Sequence, residues 1–547
     1  MSKISKYLNE HLLGEVTVDE AVREQFANGG SVLKIKPELI VSPRVTNDIR
    51  KVARFTWQLA EKGHVLPITV RGGGSDQTGA SIGKGVIINT LAHLNEILYI
   101  SLKDKQRIAH VQPGVTYKSL NDTLRASGLN LPAYPESYLY STVGSGVANN
   151  YSGQLSGSKG STGDWVTKLE VVLANGDVIE TGRINKRELN KKKGLQTLEG
   201  ELYRKLDGLI EDNEQLITDK IDDKIRDNAG YSGIVKVKQR DGSFDLTPLF
   251  IGSQGTLGII SEIVFKTEFY SGDTSAIVAT FDSAESARDA ADKIIKNEPT
   301  SLELIDGSLF DMANEKGKIF PFYSEDKADN SVAAVLYISF NDFSEGARHR
   351  KMKHTLKHLA KLNANVVTSD KLSNEELATI REVASTVLNT EVKNESMPPL
   401  IDGASVPSDR IEEFSVSVAD LAKKHHIELP LYIRYMDGVI KTRPVLELNK
   451  VGDKQKVFKL ISEYAELVTK HGGVFISESG EGRLKANAAI ENIDPEVNQL
   501  YEQIRSAFDP FGTMNPGVKQ KNEMKTLVSA LDSNYSRARF SQYSPHS

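Results

Sequence analysis

Residues 67–90, PITVRGGGSDQTGASIGKGVIINT, place a cluster of glycines between two strand-like runs. Such clusters often bind phosphate, because backbone N–H groups can approach an anion closely where no side chain intervenes. A Walker loop is excluded, since it requires Gly-Lys-Ser/Thr and Gly79 is followed here by Ala80 and Ser81. A Rossmann loop is excluded as well, since it requires a helix directly after the glycines, whereas GVIINT predicts a strand. A tight turn without a ligand stays open as the alternative.

The composition is that of an ordinary soluble protein. Of its 547 residues, 39% are hydrophobic and 26% are charged, and the formal net charge of −5 argues against a nucleic-acid-binding protein. The absence of cysteine excludes disulfides, thiolate metal sites, iron–sulfur clusters and cysteine nucleophiles. The length predicts two or three domains. No apolar run is long enough to span a membrane and the first residues lack the apolar core of a signal peptide, so we expect a cytoplasmic protein.

The pattern of the sequence predicts an α+β protein. Residues 38–180 alternate between Val/Ile-rich runs, which predict strands, and amphipathic stretches, which predict helices. Thr46 and Asn47 are predicted to cap the first of these helices, and the Asn-Gly pair of LANGDVIE predicts a hairpin. Residues 186–226 are charged and predict a solvated helical insertion. From residue 271 a strand–helix–strand pattern occurs twice, which predicts an antiparallel sheet covered by helices.

Six further segments follow the glycine loop in order: VQPGVTYKSLNDTL (111–124), PAYPESYLYSTVGSGVANNYSG (132–153), GDWVTKLEVVLANGDVIETG (163–182), RDNAGYSG (226–233), LFIGSQGTLGIISE (249–262) and FDPFGTMNPG (508–517). Together with the loop they resemble the FAD-binding domain of the vanillyl-alcohol-oxidase/PCMH flavoproteins. Within these, the chain is similar to the FAD-linked oxidase branch that contains D-lactate and D-2-hydroxyglutarate dehydrogenases and the glycolate oxidase large subunit. The resemblance extends over roughly residues 25–520.

The resemblance implies a division of the chain into four parts. A two-part PCMH-type FAD-binding domain is expected at residues 1–270, including the insertion at about 186–226. An α+β cap domain for the substrate is expected at residues 271–505, and a segment that returns to the flavin at residues 506–520. We expect the tail, residues 521–547, to be disordered.

The resemblance also implies which residues contact FAD: Arg71, Gly72, Gly73, Gly74, Ser75, Asp76, Gln77, Pro135, Ser137, Thr142, Gly144, Ser145, Gly146, Asn149, Gly153, Gly258, Ile259, Ile260 and Asn515. Backbone N–H groups of the glycine loop would bind the pyrophosphate. Relatives that tether the flavin covalently often have histidine directly after these glycines. Ser75 stands at that position here and cannot form such a bond, so we expect the FAD to be held non-covalently.

The predicted catalytic segments differ from the family pattern. Metal-dependent members of the branch have two histidine ligands in His-x-x-Asp-Gly-Asn-x-His, where this chain has Arg434 and Lys441 in RYMDGVIK. A later Gly-Glu-His-Gly supplies a carboxylate ligand and the general base; here Glu478 is retained and Ser479 replaces the histidine. Since Arg and Lys repel cations, we hypothesise that fixed positive charges replace the metal and bind a substrate carboxylate, with Glu478 as their partner.

Arg381, in TIREV, matches the family arginine that binds the substrate carboxylate. The alternative is that Arg434 and Lys441 form a solvated pair on a strand in an inactive domain. The loss of the histidine also leaves the general base open among Glu478, Glu481, Tyr435 and Asp437. The histidine pair in HTLKH (354–358) lies among lysines and arginines, which favours a solvated basic helix face over a metal site.

These observations predict an FAD-dependent dehydrogenase that oxidises a small carboxylate-bearing alcohol, a D-2-hydroxy acid such as D-lactate, by hydride transfer to flavin N5 without a divalent metal. The electron acceptor stays open between a quinone, an electron-transfer protein and dioxygen, and so does the oligomeric state. No nucleic-acid partner is expected, whereas the basic helix at 349–362 leaves peripheral contact with the inner face of a membrane open. The alternatives are a catalytically altered flavoprotein subunit that scaffolds a partner and an oxidase or transferase for sugar-type alcohols.

Overall fold

The computed structural model describes residues 2–102, 107–315, 317–320, 332–362, 364–384 and 396–535. Contacts within the chain divide it into two compact units. The first unit comprises Met1–Tyr151, Ser161–Glu268 and Ile476–Asp532; the second comprises Ser152–Gly160, Phe269–Phe475 and the residues from Ser533 onward. This division differs from the predicted domains at two places, since 476–505 belongs to the first unit and 152–160 to the second.

Two sheets form the centre of the first unit. A four-stranded sheet has the order Glu15–Thr17, Leu39–Ser42, Val86–Asn89, Ile68–Arg71, and its last three strands are parallel. A five-stranded antiparallel sheet has the order Ile97–Ser101, Ile108–Val111, Ile259–Lys266, Val166–Val172, Val178–Glu180. Two further short strands are Leu129–Asn130 and Glu268–Phe269. The predicted hairpin is confirmed, because Val172 pairs with Val178 on either side of the Asn-Gly turn.

The helices of the first unit are Ser2–His11, Glu20–Phe26, Thr46–Glu61, Tyr117–Ala126, Val143–Asn149, Lys186–Lys193, Leu198–Asp212, Glu214–Lys220, Thr247–Phe250, Ala486–Asn492, Pro495–Phe508 and Met524–Ser529. The predicted caps Thr46 and Asn47 are wrong: the helix has Val45 at its N-cap without a side-chain hydrogen bond. The carboxylate of Asp48 in its first turn accepts backbone N–H groups of Leu13, Gly14 and Arg44 instead.

Two predictions about exposed segments are corrected. The helices at 186–220 are not simply solvated, because Leu202, Tyr203 and Leu206 are buried in an apolar core that also contains residues of the helix Pro495–Phe508. The tail is ordered through residue 535: its helix Met524–Ser529 is followed by a backbone pairing in which Asp532 N–H donates to Val32 O at 2.8 Å. Residues 536–547 lie outside the described residues.

The second unit is built on a seven-stranded antiparallel sheet, as predicted. Its order is Asn365–Thr368, Ser275–Phe281, Ala334–Phe340, Ser301–Asp306, Tyr432–Arg434, Val439–Lys441, Ala404–Ser405. The helices of this unit are Ser156–Lys159, Ala284–Ile294, Gly307–Glu315, Glu345–Leu359, Asn374–Arg381, Ile411–His425 and Val451–Lys470. None of the helices in the described part of the chain is both long and apolar enough to cross a membrane.

Candidate functional site

The first unit contains a cleft beside the glycine loop. Nine of the residues predicted to contact FAD line it: Gly72, Gly74, Ser75, Asp76, Gly144, Ser145, Asn149, Gly258 and Ile260. Eight lining residues were not predicted: Val70, Ala80, Ser81, Thr90, Pro113, Ala148, Gln254 and Gly255. Pro113 and Gln254 belong to the segments VQPG and GSQG that indicated the family, so their place in those segments was the available signal.

The glycine loop leaves no room for side chains. A Cβ atom on Gly72 would lie 2.1 Å from the hydroxyl oxygen of Thr142, and one on Gly74 would lie 2.5 Å from the Arg71 guanidinium. Gly74 also has a φ angle of 74°, which only glycine adopts readily. The sequence therefore has glycine here because both the backbone conformation and the space require it.

Asp76 and Ser81, at the end of the loop, differ in their hydrogen bonding. The Asp76 carboxylate accepts the Thr78 hydroxyl at 2.8 Å and the Ala80 N–H at 2.7 Å, so it stabilises the turn. The Ser81 hydroxyl lines the cleft and is buried without a hydrogen-bond partner in the described part of the chain. A buried hydroxyl is costly unless a partner satisfies it, so a polar ligand is expected beside Ser81. A glycine-walled cleft with such a donor fits the phosphate-bearing FAD.

Ser75 belongs to a chain of hydroxyl groups. Its Oγ accepts the Ser141 hydroxyl at 2.8 Å, and Ser141 lies 2.7 Å from the hydroxyl of Ser137. Ser75 is thus held by protein contacts at the edge of the cleft. Its side chain has no group that could form the histidyl type of flavin bond.

Asn515 and Gln254 connect separate segments of the first unit. The side-chain nitrogen of Asn515 donates to the carbonyl oxygens of Ala80 and Gln254, each at 2.8 Å, and its Oδ1 accepts the Thr69 hydroxyl at 2.9 Å. Gln254 donates to the Thr78 hydroxyl at 3.0 Å and accepts the Gly482 N–H at 2.9 Å. Asn515 therefore holds the cleft wall together, and its direct contact with the flavin stays a prediction.

Arg71 is also a structural residue of this wall. It is buried, its guanidinium donates to the carbonyl oxygens of Phe26 and Asn28, and it lies 5.0 Å from the centre of the Phe26 ring. Direct contact with FAD stays a prediction for every residue named above, and equally for Gly73, Gln77, Pro135, Ser137, Thr142, Gly146, Gly153 and Ile259. Gly153 belongs to the second unit.

The segment that contains Glu478 and Glu481 belongs to the first unit. Glu481 is 1% exposed, accepts the Gly230 N–H at 2.9 Å and forms an ion pair of 2.6 Å with Lys519. Glu478 is only half-buried. Ser479, at the position of the family's base, has a φ angle of 61°, which is uncommon for serine. Glu481 is thus held by structural contacts, whereas Glu478 is the more accessible of the two carboxylates.

The second unit contains a buried group of charges around Arg434. Arg434 is 2% exposed, and on the next strand its register partner is Glu303, which is fully buried. Arg381 donates through Nε and Nη2 to one oxygen of Glu303, at 2.8 and 2.7 Å. Burial alone would lower the pKa of Arg381, but the adjacent Glu303 carboxylate raises the pKa overall, so the guanidinium stays charged.

Two further side chains lie beside Arg434. Its Nη2 donates to the Ser152 hydroxyl at 3.0 Å, and its Nε lies 3.7 Å from the Asp437 carboxylate, which also accepts the Ser156 hydroxyl. A solvated strand-face pair is therefore wrong for Arg434. Lys441 is half-buried, and it is the register partner of Tyr432 on the adjacent strand. The predicted pairing of Arg434 and Lys441 with Glu478 stays a prediction.

Sequence reasoning missed Glu303, Ser152 and Ser156. The signal for Glu303 was its isolated charge inside the otherwise apolar strand SLELID, because a buried charge requires an opposite charge nearby. The two serines gave no comparable signal. They lie in the short segment 152–160, which belongs to the second unit although the sequence on both sides of it belongs to the first.

The structure also locates Tyr435 and the histidine pair of the basic helix. The Tyr435 hydroxyl donates to Asp292 at 2.6 Å, and burial together with this carboxylate raises the pKa of Tyr435. His354 and His358 lie on the helix Glu345–Leu359, exposed and half-buried respectively, as predicted for a basic helix face. In the described ranges no group of three or more His, Cys, Asp or Glu side chains is arranged to hold a metal ion.

Comparison with protein families gives two matches along the chain. Residues 37–182 match the model of an FAD-binding domain, and residues 272–518 match the C-terminal domain of FAD-linked oxidases. A D-2-hydroxyglutarate dehydrogenase of Haemophilus influenzae is 25% identical over 95% of this chain and 52% of its own length. The glycolate oxidase subunit GlcD of Bacillus subtilis is 26% identical over 88% of both chains. The chain spans about half the length of the D-2-hydroxyglutarate dehydrogenases that it matches.

Solved structures agree on the fold. The 4-ethylphenol oxidase from Gulosibacter chungangensis superposes with a TM-score of 0.68 at 14% identity, over 96% of this chain and 98% of its own. At that identity the likeness shows the fold alone. With the two family matches it confirms the resemblance, the α+β class and the PCMH-type FAD-binding fold.

Proposed function

We propose that this chain, which belongs to the FAD-linked oxidases and has FAD as its cofactor, oxidises the hydroxyl group of a small carboxylate-bearing alcohol, a D-2-hydroxy acid such as D-lactate. The observation that supports this substrate class best is the buried position of Arg434, held by Ser152 and close to Asp437. An arginine buried in this way is preorganised to bind a carboxylate through two parallel hydrogen bonds.

The cofactor is held by the glycine-walled cleft of the first unit. The lining loop at 72–76 supplies backbone N–H groups without side-chain obstruction, and Ser81 supplies a hydroxyl that requires a partner. When bound, FAD accepts a hydride at N5 and so provides the oxidant. The residues of the cleft bind and orient it without a covalent bond.

The second unit would bind the acid end of the substrate. Arg381, Arg434 and Lys441 are three cationic side chains, whereas Glu303 and Asp437 are two anionic ones. The Glu303 carboxylate neutralises Arg381 directly. Because Glu303 is also the register partner of Arg434 on the adjacent strand, we assign Arg381 the role of supporting Arg434. We infer that the cationic side chains of Arg434 and Lys441 provide the positive charge that a metal ion supplies in the metal-dependent relatives.

The hydroxyl proton requires an acceptor, and Glu478 is the best candidate. Glu481 is engaged by Lys519 and by a backbone N–H, and Tyr435 donates to Asp292 with a raised pKa. Asp437 accepts Ser156 and lies beside Arg434. Glu478 differs from Glu481 in being half-buried, as a base that must meet a substrate should be.

An anaerobic substrate screen tests the proposal. Purified holoprotein is mixed with D- and L-isomers of lactate, 2-hydroxyglutarate and glycerate, with glycolate and with sugar alcohols. Bleaching of the flavin is followed by its absorbance at about 450 nm. We expect D-2-hydroxy acids to bleach the flavin, with and without EDTA. Bleaching by none of the panel would favour the scaffold alternative. Hydrogen peroxide formed in air with a sugar alcohol would favour the oxidase, and stoichiometric zinc or manganese would contradict the metal-free mechanism.

We also propose that the basic helix Glu345–Leu359 brings the protein to an anionic membrane surface where a quinone acceptor could be reached. Arg350, Lys353 and Lys357 are exposed on this helix and form no ion pair within the described ranges. Clustered cations of this kind are attracted to anionic lipid by about 1 kcal/mol each. Sedimentation with phosphatidylglycerol vesicles tests this, and equal binding to neutral vesicles, or none to either, would contradict it.

A further inference from the structure

Arg483 is a buried cation whose hydrogen-bond partners are all neutral. It is 6% exposed, and its guanidinium donates to Gly79 O at 2.6 Å, Asn515 Oδ1 at 2.9 Å and Pro516 O at 2.8 Å. It forms no ion pair with any carboxylate that the structure describes. A buried charge without an opposite charge is costly, so this arrangement requires an explanation.

Other buried cations of the chain do have carboxylate partners. Lys519 pairs with Glu481 at 2.6 Å, Arg381 with Glu303 at 2.7 Å and Arg443 with Asp402 at 2.5 Å. These three buried cations each have a carboxylate at ion-pair distance, which Arg483 lacks among the described residues.

A neighbouring arginine increases the imbalance. Arg505 is 5% exposed and donates to the carbonyl oxygens of Val518 and Met514, which are again neutral. Burial lowers the pKa of Arg483 to about 10; Asp76 opposes this shift and Arg505 adds to it. Arg483 is therefore still charged at neutral pH, and the first unit contains two mutually repelling arginines, neither of which forms an ion pair with a carboxylate of the described residues.

The position of Arg483 shows where an anion would have to lie to balance its positive charge. Its acceptor Gly79 directly precedes Ala80, and its acceptor Asn515 donates to the carbonyl oxygens of Ala80 and Gln254. Ala80 and Gln254 both line the cleft. The guanidinium therefore lies one residue behind the cleft wall, in a region of low dielectric where charges interact strongly.

We propose that FAD supplies the missing negative charge, so that Arg483 is a positioning residue whose buried charge stabilises the anionic groups of the cofactor. Two groups of FAD have the required charge, the pyrophosphate and the isoalloxazine in its reduced, anionic form. Stabilising the first strengthens binding of any ligand that contains the pyrophosphate. Stabilising the second favours the reduced over the oxidised flavin.

The test uses Arg483→Met, which retains the length of the side chain without its charge. The apoprotein is titrated with FAD and with ADP, which has the pyrophosphate but no flavin, and the holoprotein is equilibrated with a reference redox dye. We expect a loss of affinity for FAD of about tenfold or more. A parallel loss for ADP assigns the effect to the pyrophosphate. A loss for FAD alone, with a tenfold shift of the reduction equilibrium (about 30 mV for two electrons), assigns it to the isoalloxazine.

Two comparisons separate charge from structure. Arg443→Met removes a buried guanidinium from the second unit and should leave the flavin reduction equilibrium within twofold, even where it lowers thermal stability. In Arg483→Lys the affinity for FAD should fall more steeply than in the parent as pH rises from 7 to 9.5, because a buried lysine loses its proton early. The proposal is overturned if Arg483→Met binds FAD and ADP within twofold of the parent with an unchanged reduction equilibrium. If Arg483→Met does not fold, a parent-like pH profile of Arg483→Lys overturns it.

Discussion

Arg434 is the residue at which the proposed substrate class is most directly testable. In Arg434→Met we expect kcat/KM for the best hydroxy acid to fall about 30-fold or more, because a buried charge-assisted hydrogen bond contributes about 2 kcal/mol or more. FAD content should stay the same, since Arg434 belongs to the second unit. Steady-state kinetics and the visible absorbance of the flavin in the purified protein measure both.

A matched control is Arg410→Met, because Arg410 is exposed and pairs only with surface carboxylates. Its kinetics should equal those of the parent. An Arg434→Met enzyme with unchanged KM and kcat would contradict a role for this arginine in substrate binding.

The two glutamates at 478 and 481 should respond oppositely to removal of their charge. Glu481→Gln leaves the fully buried Lys519 without its anion, so we expect a loss of about 3–5 kcal/mol in the free energy of unfolding. Glu478→Gln should slow anaerobic flavin reduction about 100-fold, as expected for loss of a general base, and should cost less stability than Glu481→Gln because Glu478 is only half-buried. Denaturant unfolding and stopped-flow absorbance separate the two effects, and slow reduction in Glu481→Gln without a stability loss would reverse the assignment.

At the scale of the element, the question for the helix Leu198–Asp212 is whether it is a packed part of the fold or a peripheral insertion. Leu206 is fully buried in the core shared with Leu500 and Ile504. We expect Leu206→Ala to lower the free energy of unfolding by about 2–5 kcal/mol, the usual cost of a cavity. Lys205→Ala on the exposed side of the same helix should cost less than about 0.5 kcal/mol. Equal, small effects would mean that the helix is dispensable.

The sequence predicted those elements whose signals are local. Strand runs such as GVIINT and the Asn-Gly hairpin were found because alternation and turn residues act within a few positions. The hydrogen bonds accepted by Asp48 were missed because two of their donors, Leu13 and Gly14, lie far away in the chain. Glu303 was missed for the same reason, since its partner Arg381 is 78 residues away and Arg434 is farther still. A charged helix such as Leu198–Asp212 looks solvated in sequence, although three or four apolar residues on one side suffice to bury it.

At the scale of the whole molecule, the ordered C-terminal segment is connected to the cofactor loop through the N-terminal part of the chain. Ala530 and Asp532 pair with the backbone of Val32 and Lys34, and the nearby Gly30 N–H donates to Gly74 O at 2.9 Å. A Cβ atom on Gly30 would lie 2.6 Å from Ser75 O, so this contact is close. Three segments distant in sequence thus stabilise the conformation of one loop.

Truncation after Glu523 should therefore weaken FAD binding although no predicted FAD contact is removed. Without the helix Met524–Ser529 and the pairing that follows it, residues 30–34 lose a backbone neighbour and the glycine loop loses part of its support. We expect the dissociation constant for FAD to rise about tenfold, since two backbone hydrogen bonds contribute about 0.5–1.5 kcal/mol each. Titration of the apoprotein measures this, with the exposed Met524→Ala in the full chain as control. If the truncated protein binds FAD as tightly as the control, the C-terminal segment does not support the loop.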